Sequence, residues 1–272
     1  MRHDYYRYSR EELIGNHPRI PLIVLPDNAS LFASMAQEMT DEIERNNAAG
    51  RRTVFLCPVG PVGQYRYFAE RVNERRICLR DTWIINMDEY LGDDRTWIAA
   101  THPLSFRGFM DREVYGRIAP DLCMPKEHRV FPDPARPEGI GELIERLGGV
   151  DICFGGIGIN GHVAFNEPDE ALSNEEFLAQ TSRILKISEA TRAINAVGDL
   201  DGALEDMPHY CVTVGMNEIR HARRIRLACF RGWHRAVVRR AAYGDATSAF
   251  PVTLLRDHPD ITLKLTEFVA KE

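Results

Sequence analysis

The chain has 272 residues, of which 44% are hydrophobic, so it is long enough to bury a large core as one α/β domain without a second domain. Its formal net charge of −6 excludes the basic surface that a nucleic-acid-binding or membrane-surface protein needs. The six cysteines are scattered without C-x-x-C spacing, which predicts reduced thiols. The N-terminus is charged and unlike a signal peptide, and no apolar run is long enough to span a membrane, so we expect a cytoplasmic protein.

Short apolar runs that alternate with helical stretches predict a βαβ pattern. The predicted strands are Ile20–Leu25, Thr53–Cys57, Thr82–Met87, Asp151–Phe154, Ser182–Ile187, Cys211–Val214, Ile225–Phe230 and Ile261–Leu265. The predicted helices are Ser30–Asn47, Gly63–Arg75, Pro103–Ile118, Gly139–Leu147 and His234–Tyr243. This alternation indicates a doubly wound α/β fold, with a single mostly parallel sheet and helices on both faces. We expect residues 1–19 to form an N-terminal extension and residues 20–272 to form one domain.

The first turn of interest, Pro58–Gly63, leads from a predicted strand into a predicted helix. Such a turn presents backbone N–H groups and a helix dipole to an anion, which makes Gly60 and Gly63 candidate substrate-binding residues. Because Pro58 and Pro61 lack an N–H group, this turn is a weaker phosphate cradle than a loop of Gly, Ser and Thr.

Two adjacent acids, Asp88 and Glu89, follow the predicted strand Thr82–Met87. A carboxylate at the end of a strand could act as a base on a ligand bound at that edge of the sheet. For an isolated Asp-Glu pair, however, the favoured interpretation is that Asp88 caps the next element and Glu89 is solvated.

The third segment, residues 155–168, follows the strand Asp151–Phe154 with glycines, a histidine and a glutamate. Its glycines allow a tight turn, and ligands of open α/β sheets bind beyond the carboxyl ends of the strands. His162 and Glu167 are therefore a candidate imidazole–carboxylate pair, whereas a turn with a histidine satisfied by its neighbours is the alternative. The acidic stretch Asp169–Gln180 that follows is equally typical of a mobile flap and of a solvated helix.

The last segment, Phe230–Ala236, is another strand-to-helix turn, and its Arg231 and Arg235 could hold a phosphate, although surface arginines are the alternative. No two of the nine histidines are spaced like metal ligands, so we expect no metal site. None of the four lysines lies beside a glycine turn, which disfavours Schiff-base chemistry.

Together, these segments resemble the glucosamine-6-phosphate deaminase (isomerase) family, within the wider group that includes the 6-phosphogluconolactonases. The match runs in order through residues 50–260. It comprises N-M-D-E-Y at 86–90, H-P-L-S-F at 102–106, G-x-x-G-H-x-x-F-N-E-P at 158–168, T-R at 191–192, P-x-Y at 208–210 and T-V-G at 213–215. The lactonases lack the F-N-E-P continuation, so the deaminase branch is the better match.

The resemblance implies an enzyme that converts a 2-amino-2-deoxyhexose 6-phosphate, with glucosamine 6-phosphate the first candidate, to the ketose 6-phosphate with release of ammonia. It implies no cofactor, a small amino-sugar phosphate as the only partner besides further copies of the chain, and a homo-oligomer. Carried over by position, Asp88 would move a proton from C2 to C1, and His162 would open the sugar ring with its imidazole held by Glu167. Gly161 and Glu89 would contact the substrate, and Asn160, often aspartate in the family, can only orient His162 or the sugar by hydrogen bonds. A carboxylate base must be ionised, so we expect the protein not to bury Asp88 without donors.

This sequence departs from the family at the phosphate site. The phosphate loop offers no hydroxyl, because Val59, Pro61 and Val62 stand in it, and the family's phosphate-binding arginine falls on Val197. A phosphate-binding lysine of the family corresponds to Arg235. The need for a 6-phosphate is thus open. Two rivals also stay open: a lactonase-type hydrolase and a non-catalytic sugar-phosphate sensor, both disfavoured because the chain keeps the acid–base residues.

Overall fold

The computed structural model describes residues 3–271, which form two β-sheets surrounded by helices. The strands of these residues are β1 (Leu22–Leu25), β2 (Thr53–Cys57), β3 (Thr82–Asn86), β4 (Asp88–Leu91), β5 (Arg129–Val130), β6 (Ile152–Gly156), β7 (Arg183–Lys186), β8 (Tyr210–Thr213), β9 (Ile225–Cys229) and β10 (Ile261–Thr266). The α-helices are α1 (Arg10–Gly15), α2 (Asn28–Ala48), α3 (Gln64–Arg75), α4 (Phe106–Glu113), α5 (Gly139–Leu147), α6 (Asn174–Leu178), α7 (Glu189–Asp199), α8 (Met216–Arg220), α9 (His234–Tyr243) and α10 (Glu267–Ala270).

The main sheet has seven parallel strands in the order β1-β10-β9-β6-β2-β3-β5. Successive side chains of a strand point to opposite faces, and both faces of this sheet are covered. In β2, Val54 and Leu56 pack into the core beneath α9, whereas Phe55 and Cys57 pack into the core beneath α2 and α3. The predicted mostly parallel α/β fold with helices on both faces is confirmed.

A second, three-stranded sheet stands apart from the main one in the order β4-β8-β7, and its strands are antiparallel. The runs Ser182–Ile187 and Cys211–Val214 were predicted as strands of one sheet, but they form β7 and β8 of this second sheet. An apolar run indicates a strand without naming its partner, which is why the sequence could not separate the two sheets. The pairing places Asp88, the first residue of β4, opposite Thr213 of β8.

The described part of the predicted N-terminal extension packs on α9. Arg239 donates a hydrogen bond to the carbonyl oxygen of Tyr8 at 2.7 Å. The hydroxyl of Tyr243 donates one to the carbonyl oxygen of Leu13 at 2.6 Å. Leu13 itself is buried in the same core as the strands. None of the helices within residues 3–271 combines the length and the apolar character that a bilayer-spanning helix needs.

Candidate active site

A cavity of about 370 Å³ lies at the carboxyl ends of four neighbouring strands, β9, β6, β2 and β3. The segments that follow these strands bring Arg231, His162, Gly60 and Asp88, respectively, to the cavity wall. The other lining residues with polar side-chain groups are Tyr90 of β4, Asn195 and Asp199 of α7, and Trp233 and His234 at the start of α9. This is the edge at which open α/β sheets bind ligands.

His162, Asn160 and Glu167 form a hydrogen-bonded chain beside the cavity. The Nδ1 atom of His162 lies 2.7 Å from Oδ1 of Asn160, and Nδ2 of Asn160 donates to Oε2 of Glu167 at 2.6 Å. The direct distance from Nδ1 to Oε2 is 3.7 Å, which is too long for a hydrogen bond. The predicted imidazole–carboxylate pair is therefore bridged by Asn160.

Glu167 is an ionised carboxylate in this chain. Its burial raises its pKa, but contacts with His162, Asn160 and Thr191 outweigh burial and lower the pKa to about 2. Ser188 adds a hydroxyl that donates to Oε2 at 3.1 Å. An ionised carboxylate only accepts hydrogen bonds, so Glu167 fixes which end of Asn160 faces it.

That orientation sets the tautomer of His162. Because the amide nitrogen of Asn160 faces Glu167, its oxygen faces Nδ1 of His162, and Nδ1 must carry the hydrogen. The unprotonated Nε2 is then the atom available for chemistry.

Two glycines make room for this arrangement. The imidazole of His162 occupies the space that a Cβ atom on Gly158 would fill. Gly161 has a φ of +85°, and a Cβ atom there would lie 2.5 Å from the ring of Phe250. Side chains are thus excluded at both positions, and the glycine turn predicted from the sequence is a requirement of the histidine's placement.

Asp88 lines the cavity at the end of β3, yet its side chain is 94% buried, with only 6% of its surface exposed. Within residues 3–271 no protein donor is bonded to its carboxylate, so the expectation that the protein would not bury it without donors is wrong. Burial, together with the negative charge of neighbouring Glu89, raises the pKa of Asp88 to about 8. A buried acid that faces an open cavity has room for a donor or a cation supplied by a ligand.

Glu89 faces away from the cavity and organises the start of α4. It is fully buried and accepts hydrogen bonds from the backbone N–H groups of Tyr90, Phe106 and Arg107, at 2.9 to 3.0 Å, and from the hydroxyl of Ser105. Arg107 adds a guanidinium contact at 3.2 Å. The structure therefore does not bring Glu89, predicted to bind substrate, to the cavity wall, and the alternative of a solvated Glu89 is wrong.

We expect Glu89→Gln to destabilise the protein by about 3–5 kcal/mol, because it removes the charge paired with Arg107 and turns an amide N–H₂ group towards backbone donors. In urea unfolding, the midpoint should fall while the m-value stays constant. The control is Glu113→Gln, since Glu113 pairs with Arg117 on the exposed surface and such pairs contribute about 0.3–0.5 kcal/mol. Equal midpoints for the two variants would contradict the role given to Glu89.

The turn Pro58–Gly63 forms one wall of the cavity, with Gly60 and Gly63 among the lining residues. The ring of Phe32 occupies the space that a Cβ atom on Gly63 would fill. The carbonyl oxygen of Pro61 accepts a hydrogen bond from Nε2 of Gln64 at 2.8 Å. The predicted anion-binding turn is thus at the cavity, with an aromatic ring packed against Gly63.

The two arginines of the turn after β9 point in different directions. Arg231 lines the cavity. Arg235, predicted to bind substrate, is not brought to the cavity wall. Its Nε donates to the carbonyl oxygen of Phe268 at 3.1 Å, and its guanidinium lies 4.5 Å from the centre of the Phe268 ring. Val197, another position of the predicted phosphate site, is 69% exposed and does not line the cavity either.

His234 fixes this turn and was not singled out from the sequence. Its Nδ1 accepts from the N–H groups of Phe230 and Arg231 at 2.9 and 2.8 Å, and its Nε2 lies 3.1 Å from the carbonyl oxygen of Ile157. Burial lowers the pKa of His234 to about 3. It is thus a neutral link between the ends of β9 and β6.

Three further lining residues were also missed. Asn195 donates to the hydroxyl of Tyr90 at 3.1 Å, and Asp199 lies one helical turn beyond Asn195 on α7. The i, i+4 spacing of two polar residues was the available signal, but α7 was not predicted as a helix.

The segment Asp169–Gln180, predicted as either a flap or a solvated helix, contains α6. Phe177 of this helix is fully buried, and the side chain of Asn174 accepts from the N–H group of Ser248 at 3.0 Å. None of residues 169–180 lines the cavity. Within residues 3–271 no three His, Cys, Asp or Glu side chains are grouped so as to hold a metal ion.

Comparison with known proteins finds similarity to curated deaminases over most of the chain. No family model matches it. The curated glucosamine-6-phosphate deaminase of Lachnoclostridium phytofermentans is 28% identical over 244 residues, covering 87% of this chain and 96% of the relative. That of Clostridium perfringens is 29% identical over 258 residues, covering 92% and 98%. Over nearly its whole length, the chain is thus similar to curated glucosamine-6-phosphate deaminases.

The fold of this chain is also seen in solved structures. A structure described as a monomeric glucosamine-6-phosphate deaminase matches with a TM-score of 0.80 at 23% identity, covering 92% of this chain and 99% of that one. Since that protein is monomeric, similarity to deaminases does not decide whether this chain forms the predicted homo-oligomer. A 6-phosphogluconolactonase from Trypanosoma cruzi shares the fold with a TM-score of 0.66 at 16% identity, covering 92% of this chain and 96% of that one, so the reaction has to be argued from the site.

Proposed function

We propose that this protein is an aldose–ketose isomerase and deaminase that acts on a 2-amino-2-deoxyaldose. Glucosamine 6-phosphate, implied by the sequence resemblance and named in its relatives, is the reference substrate. The observation that carries the proposal is Asp88, a buried carboxylate without a bonded protein donor that shares its cavity with His162. An ammonium group at C2 of the sugar would supply the missing positive charge. A lactone would not.

In the proposed reaction, His162 first opens the sugar ring. Its Nε2 takes the proton of the anomeric hydroxyl and returns it to the ring oxygen as the bond from C1 to that oxygen breaks. The chain His162–Asn160–Glu167 supports this role, because it keeps Nδ1 protonated and Nε2 free.

Asp88 then acts on the open-chain amino aldehyde. Its carboxylate takes the proton from C2 while one proton of the substrate's ammonium group passes to the carbonyl oxygen at C1, which gives an enolamine; the Asp88 carboxyl then delivers its proton to C1. The product is an iminium at C2, to which water adds before ammonia leaves and the ketose remains. A carboxyl with a pKa near 8 is a stronger base than an ordinary aspartate, and a cationic substrate favours its ionised form.

The direct test is ammonia release by the purified protein from glucosamine 6-phosphate, galactosamine 6-phosphate and glucosamine. Hydrolysis of 6-phosphogluconolactone is measured in parallel, since lactonase-type chemistry is the rival. Ammonia from any amino sugar, with Asp88→Asn as the inactive control, would support the proposal. Lactone hydrolysis without ammonia release would overturn it in favour of the hydrolase, and ligand binding without either reaction would favour a sensor.

The raised pKa of Asp88 predicts a pH dependence that can be measured without substrate. The native carboxyl holds its proton to about pH 8, whereas its ordinary pKa is 3.8, so its stabilising contribution is full below pH 3.8 and is lost as the pH rises towards 8. Relative to Asp88→Asn, the wild-type free energy of unfolding should fall by up to about 1.4 kcal/mol per pH unit in this window. A difference that does not vary with pH would contradict the raised pKa.

The same shift should appear in catalysis. The ionised fraction of Asp88 in the free enzyme rises with pH, so kcat/KM should rise towards pH 8 and then level off. The rise of kcat with pH should occur at lower pH than that of kcat/KM, because kcat reports the enzyme–substrate complex, in which the ammonium of the substrate is present. If both quantities rise over the same pH range, the substrate does not lower the pKa of Asp88.

A further inference from the structure

The cavity wall includes residues that the proposed chemistry does not use. They are Phe32, Val59, Val62, Asp199, Phe230, Arg231 and Trp233. The rings of Phe32 and Phe230 meet edge to face with centres 5.0 Å apart. Phe32 also packs on Gly63, so apolar surface lies beside the turn at the start of α3.

The charges of the wall are few and mixed. Among the described lining residues, Arg231 is the only lysine or arginine, and Asp88 and Asp199 are carboxyls. His234 stays neutral, since its pKa is about 3. Burial raises the pKa of Asp199, and the positive charge of Arg231 lowers it part of the way back, so the two side chains already interact.

These charges do not suit a phosphate ester. A phosphate monoester carries a charge of about −1.5 to −2 at pH 7. One guanidinium, whose charge also acts on Asp199, would have to balance it, and burying an uncompensated charge is costly. The neighbouring turn supplies fewer donors than a loop of Gly, Ser and Thr, because Pro58 and Pro61 have no N–H group and the turn has no hydroxyl.

A hydroxyl group suits the same wall better. Arg231 can donate a hydrogen bond to it, and Asp199 can accept one from it, because a hydroxyl is both acceptor and donor. The aromatic and valine side chains can pack against the carbon-bound hydrogens of a sugar, as the largely apolar walls of small-molecule sites do. The oppositely charged Arg231 and Asp199, beside this apolar surface, therefore suit a neutral group that carries hydroxyls.

We propose that the substrate is an amino sugar without a phosphate at C6, whose free hydroxyl groups bind Arg231 and Asp199. This rests on the proposed deaminase function and narrows its substrate class. It departs from the glucosamine 6-phosphate that the sequence resemblance implies.

The test compares glucosamine with glucosamine 6-phosphate in two ways. Steady-state ammonia release gives kcat/KM for each, and calorimetry gives the binding of 2-amino-2-deoxyglucitol and of its 6-phosphate, which cannot react. We expect the unphosphorylated compound to be preferred by about tenfold or more in both. A preference for the phosphate ester, or no binding of the unphosphorylated alditol, would overturn the inference.

The two readouts separate this inference from the proposed function. Ammonia from glucosamine 6-phosphate but not from glucosamine would leave the deaminase proposal standing and overturn the inference. If the unphosphorylated alditol binds more tightly than its 6-phosphate but no amino sugar releases ammonia, the deaminase proposal is overturned. The inference that Arg231 and Asp199 bind an uncharged hydroxyl group is then still supported.

Asp199→Asn tests whether the charge of Asp199 disfavours a phosphate ester in the cavity. Removing the carboxylate should narrow the preference for glucosamine over glucosamine 6-phosphate by about tenfold, since the repulsion of the phosphate is relieved. A structural defect would lower kcat/KM for both substrates equally, and that result would count against the role of Asp199. Arg66→Gln, on the exposed face of α3 where Arg66 pairs with Glu70, is the control that should leave both values unchanged.

Discussion

Asp88→Asn is expected to abolish detectable ammonia release, with a loss in kcat on the order of 10²–10⁴-fold, while the protein still binds ring-closed amino sugar. An amide has nearly the shape of a protonated carboxyl, but it cannot accept the C2 proton. Burial already holds Asp88 in its neutral form at pH 7, since its pKa is about 8. The unfolded chain ionises Asp88 at pH 7, whereas the native carboxyl must take up a proton, so the substitution should raise the free energy of unfolding at pH 7, on the order of 4 kcal/mol.

That separation of activity from stability distinguishes a base from a structural residue. Ammonia release is measured at saturating substrate, binding of the unreactive alditol by calorimetry, and stability by urea unfolding. If the variant deaminates at the wild-type rate, Asp88 is not the base. If it loses both binding and stability, the carboxylate supports the cavity instead of the reaction.

Asp88→Asn also separates deaminase chemistry from lactonase chemistry. Lactone hydrolysis with Nε2 of His162 as the base on water would have little need for Asp88. A protein that hydrolyses lactone equally well with and without Asp88 would be the rival hydrolase.

The sequence predicted the main sheet well because local pattern is enough there. The apolar runs before Pro58, Met87 and Gly155 could only be strands buried on both faces, and the glycine turn after β6 placed His162 at a carboxyl end. The second sheet could not be predicted in this way. Its strand β4 begins with two acids, and its existence depends on pairing with β8, which lies more than a hundred residues further along the chain.

Long-range contacts also explain the misassigned site residues. The favoured sequence interpretation of Glu89 was a solvated acid, but its partners lie in residues 105–107, where no local pattern reveals them. Arg231 and Arg235 looked equivalent in one turn. Arg235 instead contacts Phe268 near the end of the described chain, and this leaves Arg231 to the cavity.

The bridging position of Asn160 changes how the imidazole should be understood. The residue pattern predicted that Glu167 would hold His162 directly, yet the two atoms are 3.7 Å apart. An amide between a carboxylate and an imidazole transmits orientation, so in the neutral imidazole it places the hydrogen on Nδ1 and leaves Nε2 free. This is the form that ring opening requires first.

His162→Gln is accordingly expected to lower kcat for ring-closed amino sugars on the order of 10²–10⁴-fold, because glutamine cannot take and return a proton at this pH. The loss should be much smaller for 2-amino-2,4,5-trideoxyhexose, which lacks the hydroxyls that close furanose and pyranose rings. Ammonia release from the two compounds gives the comparison. It isolates ring opening from the later proton transfer by Asp88.

The control is His221→Gln, since His221 is exposed and its Nδ1 lies 2.8 Å from the carbonyl oxygen of Asn217, away from the cavity. It should leave turnover of both compounds unchanged. An equal loss on closed and open substrates in His162→Gln, with an unaltered unfolding midpoint, would mean that the imidazole acts in the step at C2. The ring would then have to open without it, and Asp88 and His162 would share the proton transfer that is assigned here to Asp88 alone.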